Sequence, residues 1–405
     1  MNILILSNKL PYPPKDGGSI ATLNLARGLS KLNNKIFILA LNTSKHYYNI
    51  NNIPSELKKE LTFKDVKINT RINLIKLILN LLFSVKPYIA SRFYSKKFKI
   101  ALKQILINNK YDIVQIEGLY MCRYIAIIRK NSTAKISYRA HNLEDKIWEG
   151  IAKNTTSYIK NLYINNLVKR IRRFDKFYIN KYDFLIPITQ NDANTYVYYG
   201  TKCPIHVCPA GFDFEKTNKY KSNNQDNSIF FIGALDWLPN QEGLMWFLDK
   251  VWSKISNSDD IKFYIAGRNA TNKFIKSIQK YKVYFLGEVD DAYEFMSSKT
   301  IMIVPLFSGS GMRVKIIEGM AMGKVIISTS LGAEGINYTN KKNIYVTDSA
   351  NEFIEIIKLL AGNSKLVQKI SKNSHEYVRN NFNNEMLAHT LNNFYISQIE
   401  KNKKY

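Results

Sequence analysis

Short apolar runs rich in β-branched residues alternate with stretches of helical periodicity along almost all of the 405-residue chain, and few folds accommodate that alternation. In the first half, Ile3 to Leu6, a helical stretch from about Ser19 to Leu32, and Lys35 to Leu41 make a β-α-β unit. Strands joined through a helix pair in parallel. Further strands are expected at Asp112 to Ile116, Lys135 to Tyr138 and Phe184 to Ile188, which suffices for one doubly wound domain. The pattern then lapses. Cys203 to Phe214 has strand character ending in Pro and Gly, and Lys216 to Asn227 is polar and rich in Asn and Lys, the composition of a linker. A second series follows, with strands at Ile229 to Ile232, Lys262 to Ala266, Val283 to Leu286, Ile301 to Leu306 and Val325 to Thr329, and helices from about Gln241 to Ile255 and Met312 to Met322. After Ala350 the pattern is helical to the end. The expected class is α/β, with parallel-sheet domains at 1–200 and 228–374, a linker at 201–227 and a helical tail at 375–405.

Charge separates the two halves. Up to Ala210 there are 34 Lys and Arg against 12 Asp and Glu, and after it 25 against 20. Such an excess in one half fits an anionic partner. Within it, Ile68 to Asn108 is rich in Lys and Arg and carries Ile75, Ile78, Leu79, Leu82 and Phe83 at helical spacing. A segment of this kind either lies along an anionic membrane surface or packs on the sheet with a solvated basic face. The longest apolar stretch, Leu74 to Val85, is interrupted by Lys76 and Asn80 and falls short of the roughly 18 apolar residues that span a bilayer. No nucleic-acid module is recognisable, so a nucleic-acid partner is not expected. Cys122, Cys203 and Cys208 have neither the number nor the spacing of a disulfide framework or zinc site, and Met1 to Leu6 runs straight into a strand without secretory-signal features. The expectation is a cytoplasmic protein whose basic half can meet the inner face of the cytoplasmic membrane.

Two loops stand where parallel sheets bind ligands. Residues 11–19 (PYPPKDGGS) join the first strand to the first helix, and Gly17 and Gly18 open the helix N-terminus to an anion. The spacing is not that of the dinucleotide fingerprint. Richer is the run from Val304 to Lys324, a strand, then a loop with Gly309, Ser310 and Gly311, then a helix closed by Gly323. Amides at Gly311, Met312 and Arg313 can hold a diphosphate, with Arg313 and Lys315 adding positive charge. Glu318 can accept hydrogen bonds from vicinal hydroxyls, or can form an i,i+3 ion pair with Lys315. A third cluster is His141, which follows the strand Lys135 to Tyr138 and is flanked by Arg139, Asn142 and Glu144. Glu117 stands at the corresponding edge after Asp112 to Ile116, and Glu117, Arg139 and Asn142 are candidates for contact with a second substrate.

The run 312–323 (MRVKIIEGMAMG), followed by 325–336 (VIISTSLGAEGI), resembles the donor-binding segment of bacterial retaining glycosyltransferases of family 4, which have the GT-B fold. Supporting matches fall in the family's order: Gly17 and Gly18, 138–144 (YRAHNLE), 209–213 (PAGFD), 231–240 (FIGALDWLPN) and 266–269 (AGRN). The resemblance implies two Rossmann-like domains facing across a cleft, a nucleoside-diphosphate sugar held mainly by the second, a glycan or lipid-linked acceptor by the first, and a terminal helix from about His375 crossing back. It implies a catalytic role near the transferred sugar for His141 and ribose binding for Glu318. Gly17 and Gly18 would lie against the phosphates or the acceptor.

Two departures from the family pattern stand out. The family pairs two glutamates eight positions apart, and counting back from Glu318 gives Ser310. At 236–240 (DWLPN) the commoner pattern supplies an Arg and a Lys to the diphosphate; Arg268, Arg313 and Lys315 are the replacements. No Asp-x-Asp triplet occurs, so neither a metal nor another cofactor is indicated. Retention in the family is attributed to front-face attack, with the donor phosphate helping to deprotonate the acceptor hydroxyl, so no protein nucleophile is required. A nucleotide-sugar epimerase of the same fold and a catalytically weak binding subunit are the alternatives.

Overall fold

The computed structural model describes residues 1–220, 227–256, 260–309 and 311–401. The chain divides into two compact units, Met1–Gly211 with Asn384–Tyr405, and Phe212–Asn383.

In the first unit six parallel strands, β1 (Asn2–Ser7), β2 (Lys35–Thr43), β3 (Thr62–Ile68), β4 (Ile113–Glu117), β5 (Lys135–Ala140) and β6 (Phe184–Pro187), lie in the order β3-β2-β1-β4-β5-β6. Helices on both faces bury the central strands completely, as continuous apolar runs such as Ile3 to Leu6 require. The first helix runs Gly17–Lys31, and Asp16 caps it by accepting from the Ser19 amide. Strand β3 was not among the expected strands. Its Lys64, Asp65 and Lys67 break the apolar pattern, which suits an edge strand, where charge discourages further pairing. The basic segment after it is three helices, Leu74–Phe83, Tyr88–Arg92 and Lys96–Asn108. Only the last buries a regular apolar stripe, with Phe98, Leu102, Ile105 and Leu106.

Residues expected in a linker are partly built into this unit. The His206 amide donates to Leu185 O at 3.0 Å and the Cys208 amide to Pro187 O at 2.9 Å, so the segment runs beside β6. The helix Asn384–Lys401 packs here too, burying Leu387, Ala388, Leu391 and Tyr395 against Leu25, Leu29 and Ile38. A Cβ on Gly28 would lie 2.7 Å from Ala388 Cβ, so these two helices touch through their backbones. His375 belongs instead to the Ser364–Asn381 helix of the second unit, where its Nδ1 lies 2.7 Å from Ala321 O.

The second unit repeats the architecture with β7 (Ser228–Ile232), β8 (Lys262–Ala266), β9 (Tyr284–Gly287), β10 (Ile301–Val304), β11 (Val325–Ser328) and β12 (Tyr345–Val346), ordered β12-β11-β10-β7-β8-β9 and parallel throughout. The helix after β7 begins at Leu238, earlier than expected, because Pro239 is tolerated in a first turn. At Leu248–Trp252 it widens into a π-turn.

Candidate functional site

In the second unit the strand order reverses between β7 and β10, and ligands of open α/β sheets bind beyond the carboxyl ends at such a point. The loop 305–313 follows β10 there and leads into the helix Val314–Ala321. A Cβ on Gly243 would lie 1.7 Å from Pro305 O, so only glycine lets the Leu238–Phe247 helix press against that loop. Arg313 occupies the N-cap position and its own side chain makes no capping hydrogen bond, while the Glu334 carboxylate accepts from the Gly311 amide just before it.

Two cations crowd this point. Lys315 Nζ lies 3.3 Å from Ile232 O and 3.3 Å from Asn240 Oδ1, and 4.5 Å from the centre of the Phe231 ring. Burial, reinforced by the charge on Arg313, brings the Lys315 ammonium down to about 7. Arg313 is buried, donates to Gly311 O, and stands 5.8 Å from the centre of the Trp237 ring. Burial lowers its pKa too, and Glu334 acts in the opposite direction. Among the described residues Lys315 has only neutral oxygens as hydrogen-bond partners, an arrangement that favours an anion beside it.

Glu318 faces a different partner. Tyr293 Oη donates to Glu318 Oε1 at 2.8 Å. Burial raises the carboxyl's pKa, while this hydrogen bond acts against the rise. Lys315 turns to Ile232 and Asn240, so the i,i+3 ion pair with Glu318 does not form. The Arg268 backbone oxygen accepts from the Leu235 amide at 2.8 Å, which places Arg268 beside the loop after β7. Gly311 has φ of +84°, and Met312 packs partly against the core. Ser310 lies outside the described residues.

The first unit has its own polar centre at its own reversal, between β1 and β4. Glu117 ends β4 and is 2% exposed. Its Oε2 lies 2.5 Å from His141 Nε2 and accepts from Thr22 Oγ1 at 2.9 Å, while Gln115 Nε2 donates to Oε1. Gln115 Oε1 in turn accepts from Tyr395 Oη at 2.9 Å, and Tyr395 Oη lies 2.7 Å from Ser137 Oγ. The β4–β5 register sets Gln115 beside Ser137 and Glu117 beside Arg139, and the two-residue period turns all four to one face.

Burial alone would raise the Glu117 carboxyl, but His141 and Arg139 outweigh it and hold the pKa at about 2. An ionised carboxylate only accepts, so the proton in the Glu117–His141 bond sits on Nε2. His141 Nδ1 then has no hydrogen-bond partner among the described residues. Arg139 is wholly buried, and its Nη1 donates to Ala21 O at 3.1 Å. Its burial, under the helix that carries Ala21, keeps it from the contact with a second substrate expected of it, and its Nε and Nη2 have no hydrogen-bond partner among the described residues. Glu117 is sealed in the same way, whereas Asn142 and His141 are partly exposed. At Gly17 and Gly18 the Asp16 carboxylate already takes the Ser19 amide at 3.0 Å and Lys9 Nζ at 2.6 Å.

The structure thus groups Gly311, Arg313, Lys315 and Glu318 in one unit, and Glu117, Arg139 and His141 in the other. Tyr293, Asn240 and Trp237 join the first group, and Tyr395, Gln115 and Thr22 the second. Sequence reasoning missed these six as site residues; Asn240 and Trp237 stood within a quoted motif, and the others carried no local signal.

Solved structures share this architecture. Sucrose-phosphate synthase from Thermosynechococcus elongatus superposes with a TM-score of 0.72 at 15% identity, covering 99% of this chain and 100% of that one. HepE of Anabaena, in complex with UDP-glucose, gives 0.63 at 12% identity, covering 98% and 100%. Two six-stranded parallel doubly wound sheets of this kind define the GT-B fold. Residues 15–216 match the model of Glycosyltransferase Family 4 and residues 226–363 that of Glycosyl transferases group 1. The chain belongs to glycosyltransferase family 4. It is also 24% identical over 402 residues to an uncharacterised 44.6 kDa protein in the cps region of Klebsiella pneumoniae, covering 96% of this chain and 98% of that one.

Proposed function

We propose that this protein is a retaining glycosyltransferase that moves a sugar from a nucleoside-diphosphate sugar to a glycan or lipid-linked glycan in cell-surface polysaccharide biosynthesis. The observation that carries this reading is the meeting of two cations, Lys315 and Arg313, at the start of the Val314–Ala321 helix, with Lys315 Nζ bonded among the described residues to the neutral oxygens of Ile232 and Asn240. A diphosphate placed there restores the lysine's charge and receives helix amides. Arg268 adds a further cation, and the Glu318 carboxylate, oriented by Tyr293, accepts from the ribose hydroxyls. The Anabaena relative in complex with UDP-glucose supports a nucleotide-sugar donor, and the cps-region relative supports a polysaccharide product.

In the reaction the anomeric carbon–oxygen bond to the diphosphate breaks and the electron pair leaves with the phosphate. Preorganised cations and amides stabilise that developing charge. The acceptor hydroxyl attacks from the same face and passes its proton to the departing phosphate oxygen. His141, held through Nε2 by Glu117, is the catalytic candidate of the first unit.

Ligand-induced thermal stabilisation tests the reading. Wild type and Glu318→Ala are heated with UDP-, GDP-, dTDP-, ADP- and CMP-sugars. A donor at 100 times its dissociation constant should stabilise wild type by about 2.7 kcal/mol and the variant much less. No response to any nucleotide sugar would sink the donor-site assignment. Tight donor binding without transfer to any acceptor would favour the binding-subunit reading that Ser310 motivates.

A further inference from the structure

A surface helix in water ordinarily turns its apolar stripe to the core. The Leu74–Phe83 helix does the reverse and buries none of its residues. Leu74, Ile75, Ile78, Leu79, Leu82 and Phe83 are between 49% and 81% exposed. At about 100° per residue these six cover one half of the helix circumference. The opposite half carries Leu77 and Asn80, which are partly buried.

The mounting of this helix is polar at both ends. Tyr88 Oη accepts from the Asn73 amide at 3.0 Å and donates to Asn73 O at 3.1 Å. Arg170, on the Tyr158–Tyr178 helix, donates to Asn80 O at 3.0 Å, Ser84 O at 2.8 Å and Leu81 O at 2.7 Å, which satisfies the C-terminal carbonyls. The apolar half is thereby held outward.

The patch continues onto the neighbouring helix. Leu82, Phe83 and Val85 line one hollow with Asn166, Lys169 and Arg173. Helical spacing puts Leu162 and Tyr158 on the same face as Asn166, and both, with Ile159, are exposed. The chain around this helix is basic: from Val66 to Lys110 there are ten Lys and Arg and no Asp or Glu.

We propose that this face docks on an anionic lipid bilayer, its apolar half-circle entering the headgroup boundary and its lysines and arginines meeting the lipid phosphates. Charge selects this occupant. A second copy of the chain would bring two basic faces together, whereas an anionic bilayer offers both the apolar layer and the countercharge. The inference is independent of the donor site and of sugar transfer.

Cosedimentation with vesicles tests it, using phosphatidylcholine alone and phosphatidylcholine mixed with phosphatidylglycerol, at low and high salt. Wild type should bind the mixed vesicles at low salt about tenfold or more tightly than the neutral ones, and high salt should weaken that binding. The double substitution Leu82→Ser, Phe83→Ser should lose about tenfold of the affinity with its thermal midpoint unchanged, because the two side chains are exposed. The charge reversal Lys169→Glu should weaken binding to the mixed vesicles alone. A wild type that stays in the supernatant with mixed vesicles at low salt overturns the proposal, as does a double variant that binds as wild type does. Self-association in the ultracentrifuge that the double variant abolishes, without lipid binding, would assign the face to a second copy and also overturn it.

Discussion

Both units carry a charged centre where the strand order reverses, yet they settle their charges in opposite ways. In the first, Glu117 is surrounded by Thr22, Gln115, His141 and the nearby Arg139, and its carboxyl is held at about 2. In the second, burial brings Lys315 down to about 7 and raises the carboxyl of Glu318. The first centre stabilises its own charge, and the second holds charge that burial disfavours. A carboxylate already held by Thr22, Gln115 and His141 orients a neighbouring group, here His141, although among the described residues Arg139 nearby donates only to Ala21 O. An interior that leaves its cation among neutral oxygens is prepared for an anion from outside.

The sharpest break of this contrast is Glu117→Ala. It removes the buried acceptor of Thr22 and Gln115 and the partner of His141, so stability to denaturant should fall by about 3 kcal/mol or more. A small loss would show that these groups find other partners. In the second unit the opposite is expected. Lys315→Met should abolish donor-induced stabilisation, a loss of about 2.7 kcal/mol at 100 times the dissociation constant. The same variant without ligand should be as stable as wild type or more so, read as the thermal midpoint.

A finer test is pH. With a pKa of about 7, Lys315 loses its proton in the ligand-free protein as pH rises past that value, whereas a bound diphosphate requires the charged form. Donor affinity should therefore fall above pH 7, by up to about tenfold per unit, and titration calorimetry should show proton uptake. In Lys315→Gln that slope should vanish. The smallest effect is expected from Tyr293→Phe, which removes one hydrogen bond to Glu318 and should weaken donor binding by about 1 kcal/mol.

The alternation of strands and helices made both sheets legible, because buried parallel strands need continuous apolar runs. Two strands escaped for physical reasons. Thr62–Ile68 is an edge strand with Lys64 and Lys67 in it, and Tyr345–Val346 is too short to show a period. The donor-loop candidates were legible because Val304 to Lys324 is contiguous. Tyr395 meets Gln115 across 280 positions, and no local pattern carries such a contact. Arg139 misled because a polar residue near a strand's end reads as a surface group, and only the helix laid over it, through Ala21, decides otherwise.

The Tyr395 hydroxyl also sets an order of events during synthesis. Gln115 and Tyr395 belong to one unit, but the whole of Phe212–Asn383 is translated between them. At about 5–20 residues per second, those 280 positions take roughly 15 to 55 seconds to emerge from a ribosome. Throughout that interval the nascent first unit lacks the helix that covers Leu25, Leu29 and Ile38. A growing chain must keep that apolar face from its neighbours until its last helix arrives.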